Sequence, residues 1–151
     1  MTGWRLGWVV GPETTVARIE AAHQYLVTCA PSVSQAAART AFGPDGDAER
    51  ARHRAIFHAR RDRMAEELRK IPRISFHLPQ GAFYFFADIS AYGPSLPLCM
   101  RILEKRNVVT VAGIAFGALG EGFLRISFTA SEENIVRGVR AIAEELAEIA
   151  S

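Results

Sequence analysis

Apolar and polar positions change period several times along this chain, and the changes predict its elements. Trp4, Leu6, Trp8 and Val10 fall on one face of an extended segment, with Arg5, Gly7 and Val9 on the other, so residues 4–10 are predicted as a strand that Gly11-Pro12 ends. Val16, Ile19, His23 and Leu26 then share one helical face, and Pro31 breaks that helix. Ser32-Val-Ser-Gln35 has capping-box spacing before the helix formers of residues 36–42. Gly43-Pro44 is the stop, with Gly43 free to take the left-handed position past a helix end. A longer helix over about Asp47 to Lys70 carries Phe57, Met64, Leu68 and Ile71 as a stripe among arginines, and Pro72 ends it.

Past Pro72 the period shortens. Ile74, Phe76 and Leu78 alternate with Ser75 and His77 as in a half-buried strand, Pro79-Gln80-Gly81 makes a turn, and residues 82–88 form an aromatic strand. A helix over residues 96–105, a β-branched strand over 108–111, a Gly-rich loop over 113–122 and a strand over 123–128 follow. The last helix has the clearest pattern: Ile135, Val139, Ile142, Leu146 and Ile149 repeat at helical spacing, and Thr129 and Ser131 both suit its N-cap. The order predicts an α/β or α+β architecture with short, face-alternating and therefore mostly antiparallel strands packed by helices. A boundary between two structural units is expected near Pro31, because one strand and one helix cannot build a core alone.

Composition narrows the function classes. The chain has 151 residues, 49% hydrophobic and 23% charged, the balance of a soluble globular domain. A formal charge of +2, spread along helices, gives no reason to expect nucleic acid. The uncharged run of residues 108–119 is 12 residues long and interrupted by Gly113 and Gly117, too short to span a bilayer, which takes about 18 or more. No signal peptide is read at the start of the chain. Cys29 and Cys99 are isolated and read as reduced thiols of a cytoplasmic protein.

Two arginines are the candidate chemistry. Arg5 lies between Trp4 and Leu6, on the strand face where Gly7 leaves room, and its planar fork of donors could hold a phosphate or pair with a local carboxylate. Arg125 points away from the apolar face that Leu124, Ile126 and Phe128 share, together with Phe123 and Ser127; unaided, this reads as a solvated arginine on an exposed sheet face. Other candidates fail. His53 and His58 lie roughly 140° apart around a helix and share no ligand face, and His23 and His77 read as core-edge residues. No metal site is expected. Lys70 and Lys105 stand in charged surroundings at helix ends, where an exposed amine stays protonated and is a poor nucleophile.

The opening Met1-Thr-Gly-Trp-Arg-Leu-Gly7 resembles the segment that follows the cofactor-bearing lysine in class I/II aminotransferases of the fold-type I pyridoxal phosphate (PLP) family. Gly120-Glu-Gly-Phe-Leu-Arg125-Ile-Ser-Phe, Pro79-Gln-Gly-Ala-Phe-Tyr-Phe-Phe86 and Ser32-Val-Ser-Gln-Ala-Ala resemble further segments of that family, in the expected order and over essentially the whole chain. One departure is Val111-Ala112-Gly113, where the family often has a proline before the glycine; its loss leaves Ala112 freer.

The resemblance implies that residues 1–30 are the last strand and helix of the PLP-binding large domain and that residues 31–151 form the small C-terminal domain. It implies that Arg5 contacts the PLP phosphate and Arg125 the α-carboxylate of the amino acid or 2-oxo acid substrate, in a homodimer. The cofactor-bearing lysine would lie upstream of Met1, so this chain alone is expected not to transaminate. A fold-type I carbon–sulfur lyase shares both arginines, and a non-catalytic aminotransferase-like module of a regulator or a decayed remnant would share the fold.

Overall fold

The computed structural model describes residues 2–150, and contacts divide it into two compact units, Met1–His53 and Arg54–Ser151. Met1, the first residue of the opening motif, lies outside the described residues.

The N-terminal unit is helical. A 3₁₀ turn at Thr2–Trp4 precedes α1 (Glu13–Val27), α2 (Ser32–Ala41) and the start of α3 (Pro44–Leu68), inside which the two units divide. The strand expected over residues 4–10 is not formed: these residues carry no strand pairing, and Arg5 has φ 51. Alternation gives a segment two faces, but a strand forms only where a neighbouring strand pairs with its backbone, and none of the four strands lies in this unit. α2 also begins one step earlier than its sequence suggests. Pro31 is the N-cap, no side chain caps the helix, and Gln35 Nε2 donates instead to the Ala30 carbonyl at 2.8 Å. Gly43 does not take the left-handed conformation; α3 starts at the next residue with Pro44 in its first turn, where a missing N–H costs nothing. Within the unit Ser34 Oγ donates to the Trp4 carbonyl at 2.9 Å, and the rings of Trp8 and Phe42 meet edge to face at 5.3 Å.

The C-terminal unit is built on a four-stranded antiparallel sheet in the order β1-β2-β4-β3: β1 (Ser75–Phe76), β2 (Tyr84–Asp88), β4 (Phe123–Ser127) and β3 (Val111–Ala112). Only two residues of the expected Ile74–Leu78 strand pair, because Ser75 and Phe76 alone face Asp88 and Ala87. α4 (Ser95–Arg106) and α5 (Glu132–Ala150) complete the unit. The stripe read along α5 holds: Ile135, Val139, Ile142 and Leu146 are buried, and Ile149 packs against the core that they form with Met64, Leu68, Phe85, Ile102 and Leu124. Along both central strands every second residue is buried, Phe85 and Ala87 on β2 and Leu124 and Ile126 on β4. The other face of those strands is left for function.

Candidate functional site

Arg125 lies at the middle of β4, on the face opposite the core, as its alternation with Leu124 and Ile126 requires. The β2–β4 register pairs it with Phe86 and sets Tyr84, the partner of Ser127, on its diagonal. β3 adds Val111 as its partner on the other side. The guanidinium carbon stands 4.4 Å from the centre of the Tyr84 ring and 5.0 Å from that of Phe116, both within cation–π distance. Phe86 stacks on Phe123 at 4.8 Å and meets Phe116 edge to face at 6.0 Å. No carboxylate among the described residues lies within ion-pair distance of Arg125, and no hydrogen bond holds its donors. The result is a half-buried cation set in rings, with its fork of N–H groups uncommitted.

Phe116 reaches this cluster from the Gly-rich loop, which is two 3₁₀ turns, Gly113–Phe116 and Ala118–Gly120. The loop is closed backbone against backbone: a Cβ on Gly113 would overlap the Gly120 carbonyl oxygen, and one on Gly120 would overlap that of Gly113. Glu121 then latches it to α4. The Ser95 N–H donates to Glu121 Oε1 at 2.6 Å and the Ser95 hydroxyl to Oε2 at 3.1 Å, while the Gly122 N–H donates to Oε1 at 3.0 Å. These donors, the Ser95 N–H first, hold the Glu121 carboxyl below the ordinary carboxylate range. Ala112, the residue before the first of these turns, keeps a proline-like φ of −62.

Arg5 belongs to the other unit. It is exposed, follows the first 3₁₀ turn, and has no ion pair or hydrogen bond among the described residues. Most other arginines are committed: Arg101 and Arg106 bind Glu145, and Arg63 binds Glu66 and Glu67. Both lysines singled out in the sequence are paired as well, Lys70 with Glu67 at 2.7 Å and Lys105 with Glu148 at 3.7 Å. Among the described residues no cluster of three or more histidine, cysteine or acidic side chains could hold a metal, and no helix is long and apolar enough to cross a membrane. Tyr84 and Phe116 carry no signal in the sequence as partners of Arg125; the β2–β4 register brings in Tyr84, and the folded Gly-rich loop brings in Phe116.

A family model described as aminotransferase class I and II matches residues 1–142. The chain is 41% identical over 154 residues to the "Probable aspartate/prephenate aminotransferase" of Aquifex aeolicus, covering 99% of this chain and 39% of that protein. It is 34% identical over 148 residues to an aspartate aminotransferase of Pyrococcus horikoshii, covering 97% and 38%. Among solved structures, an aromatic aminotransferase from Pyrococcus horikoshii superimposes with a TM-score of 0.87 at 31% identity, over 98% of this chain and 40% of that one. The chain thus spans about two fifths of the length of the relatives it matches.

Proposed function

Because this chain belongs to the class I and II aminotransferase family, we propose that it is the C-terminal part of a PLP-dependent enzyme that moves an amino group between an amino acid and a 2-oxo acid. In this reading residues 1–30 end the PLP-binding large domain, residues 31–151 form the small domain, and the intact protein is a cytoplasmic homodimer. The observation that carries it is Arg125: a half-buried guanidinium with no carboxylate partner among the described residues, on the open face of β4, within the segment that resembles the family's carboxylate-binding motif.

The residues present fit the cofactor and the substrate as donor sets. Arg5, uncommitted among the described residues, offers its fork to a phosphate dianion, and Arg125 offers one to a carboxylate, where two parallel N–H···O bonds fix orientation as well as position. When bound, PLP supplies the electron sink that makes the α-proton of the amino acid labile. This chain's part is binding and orientation. Arg5 holds the anionic end of the cofactor, and Arg125 holds the substrate carboxylate so that the bond to be broken keeps a fixed attitude.

Three measurements test the reading. In the intact enzyme, Arg125→Lys keeps the charge but loses the planar fork, and KM for donor and acceptor is expected to rise roughly 10- to 100-fold. Arg5→Gln is expected to weaken PLP retention. This chain alone, mixed with PLP and an amino donor, is expected to give no keto acid. An unchanged KM in Arg125→Lys, or turnover at enzymatic rates by the isolated chain, overturns the corresponding assignment.

A further inference from the structure

An arginine that must receive a carboxylate has two physical problems. Its long side chain samples many rotamers, and nearby carboxylates compete for its fork. Elsewhere in this unit the second outcome is realised, as Arg101 and Arg106 both close on Glu145. Around Arg125 the neighbours are rings. Tyr84 and Phe116 lie 4.4 and 5.0 Å from the guanidinium carbon, and Phe86 and Phe123 stack beside them. An aromatic ring attracts the cation through its face and offers no acceptor in the guanidinium plane, so the five N–H donors stay available.

The two contacting rings come from separate supports. Tyr84 is fixed by the antiparallel register, being the β2 partner of Ser127, two residues along β4 from Arg125. Its hydroxyl makes no hydrogen bond among the described residues, so the ring itself is what it contributes here. Phe116 is 53% exposed, and Phe86 beside it is 40% exposed. Burial therefore does not explain why Phe116 is held against the cation. What holds it is the loop: the Gly113–Gly120 backbone contact, the Glu121 latch on Ser95, and the Ile114 N–H, which donates to Ser95 Oγ at 3.4 Å.

We propose that Tyr84 and Phe116 are positioning residues for Arg125: their rings hold the guanidinium by its face and leave its donor edges free for an incoming carboxylate. The functional consequence rests on the reading of Arg125 as the carboxylate anchor; the positioning itself does not. Removing a ring frees the side chain without touching a donor, so the fork must be ordered anew each time an anion binds.

The experiment has two arms. In this chain, NMR reads the Arg125 δ-protons, which ring currents displace upfield relative to those of Arg54, an arginine with no ring contact among the described residues. Tyr84→Leu and Phe116→Leu are each expected to move them towards the Arg54 position and the double variant to complete the move. Tyr84→Phe is expected to leave them in place, and an unchanged pattern of β2 and β4 backbone amides reports that the fold is retained. In the intact enzyme, each leucine variant is expected to raise KM for amino acid and 2-oxo acid about 5-fold, with kcat held within about 2-fold and Tyr84→Phe at the parent level. Arg125 δ-protons that match those of Arg54 in the parent chain, or that ignore both leucine substitutions, overturn the proposal. So does a KM that rises in Arg125→Lys and stays fixed in both leucine variants. If Arg125→Lys itself leaves KM unchanged, the carboxylate assignment falls, and the NMR arm alone decides whether the rings position the cation.

Discussion

Both units of this chain contain amphipathic helices, and they differ in their interiors. From Arg54 onward a continuous core forms, with Phe85, Ile102, Leu124 and Leu146 wholly inaccessible. Up to His53 the single buried residue among those described is Ser34, while Tyr25 is 91%, Val10 88% and Leu26 80% exposed. The apolar face of α1 is less sharply patterned than that of α5 and is left exposed, whereas the face of α5 packs into the core. Amphipathic spacing specifies a helix and the side it will bury; it does not supply the partner.

Core truncation separates the units most sharply. Phe85→Ala or Leu146→Ala removes a side chain from a filled interior, and a loss of about 3–5 kcal/mol is expected, comparable with the whole stability of a small domain. Leu26→Ala and Val10→Ala are expected to stay within about 0.5 kcal/mol. Urea titration followed by circular dichroism checks both. Equal losses in the two units would erase the contrast.

The same contrast governs association. Trp8, Val10, Tyr25, Leu26 and Phe42, each at least 65% exposed, leave much apolar surface in water. Self-association is expected in size-exclusion chromatography, and Tyr25→Ser with Leu26→Gln is expected to reduce it. A parent chain that elutes as a clean monomer at high concentration removes the argument.

Legibility in the sequence follows the same line. The α5 stripe and the outward direction of Arg125 were readable because both depend on periodicity within one element and on a core that the same unit provides. The strand expected over residues 4–10 is absent because its alternation needs a neighbouring strand, and none lies among the described residues of this unit. The ring contacts of Arg125 were invisible because Tyr84 and Arg125 lie 41 positions apart and meet only through the β2–β4 register. For Arg5 the phosphate role rests on its motif alone; nothing in its own spacing distinguishes a phosphate ligand from an ion-paired arginine.

Acid titration separates the units next. Arg101 first, with Arg106, holds the Glu145 carboxyl below the ordinary range, and Arg52 does the same for Glu49. A carboxylate whose pKa is lower in the folded state contributes stability that is present above the ordinary glutamate pKa, about 4.3, and is lost as pH falls through the folded value. The Glu145 side chain is inaccessible and covered by Arg101, Lys105 and Arg106, whereas the Glu49–Arg52 pair is more than half exposed. Glu145→Gln is therefore expected to lower the melting temperature at pH 7 by several degrees and to flatten its fall below about pH 4.3. Glu49→Gln is expected to change little, and less still in high salt. Parallel pH–melting curves for parent and Glu145→Gln would break this assignment.

The smallest effect makes the cleanest comparison, because it uses the same residue type at the start of one helix in each unit. Ser131 caps α5: its Oγ accepts from the Asn134 N–H at 3.3 Å, and its carbonyl accepts the first helical bond, from the Ile135 N–H at 2.9 Å. Ser32 stands inside α2, behind the N-cap Pro31, and caps nothing. Ser131→Ala leaves an N–H of the first turn without its acceptor, so a loss of about 1 kcal/mol is expected. Ser32→Ala removes no bond and places a better helix former in the first turn, so a change below about 0.5 kcal/mol is expected. Thr129, the other residue suited to cap α5, instead bonds Ser127 through its hydroxyl at 3.0 Å. Thr129→Ala is thus expected to spare α5, and amide exchange at Asn134 should quicken only in Ser131→Ala. If Thr129→Ala quickens it equally, the cap is shared between the two hydroxyls.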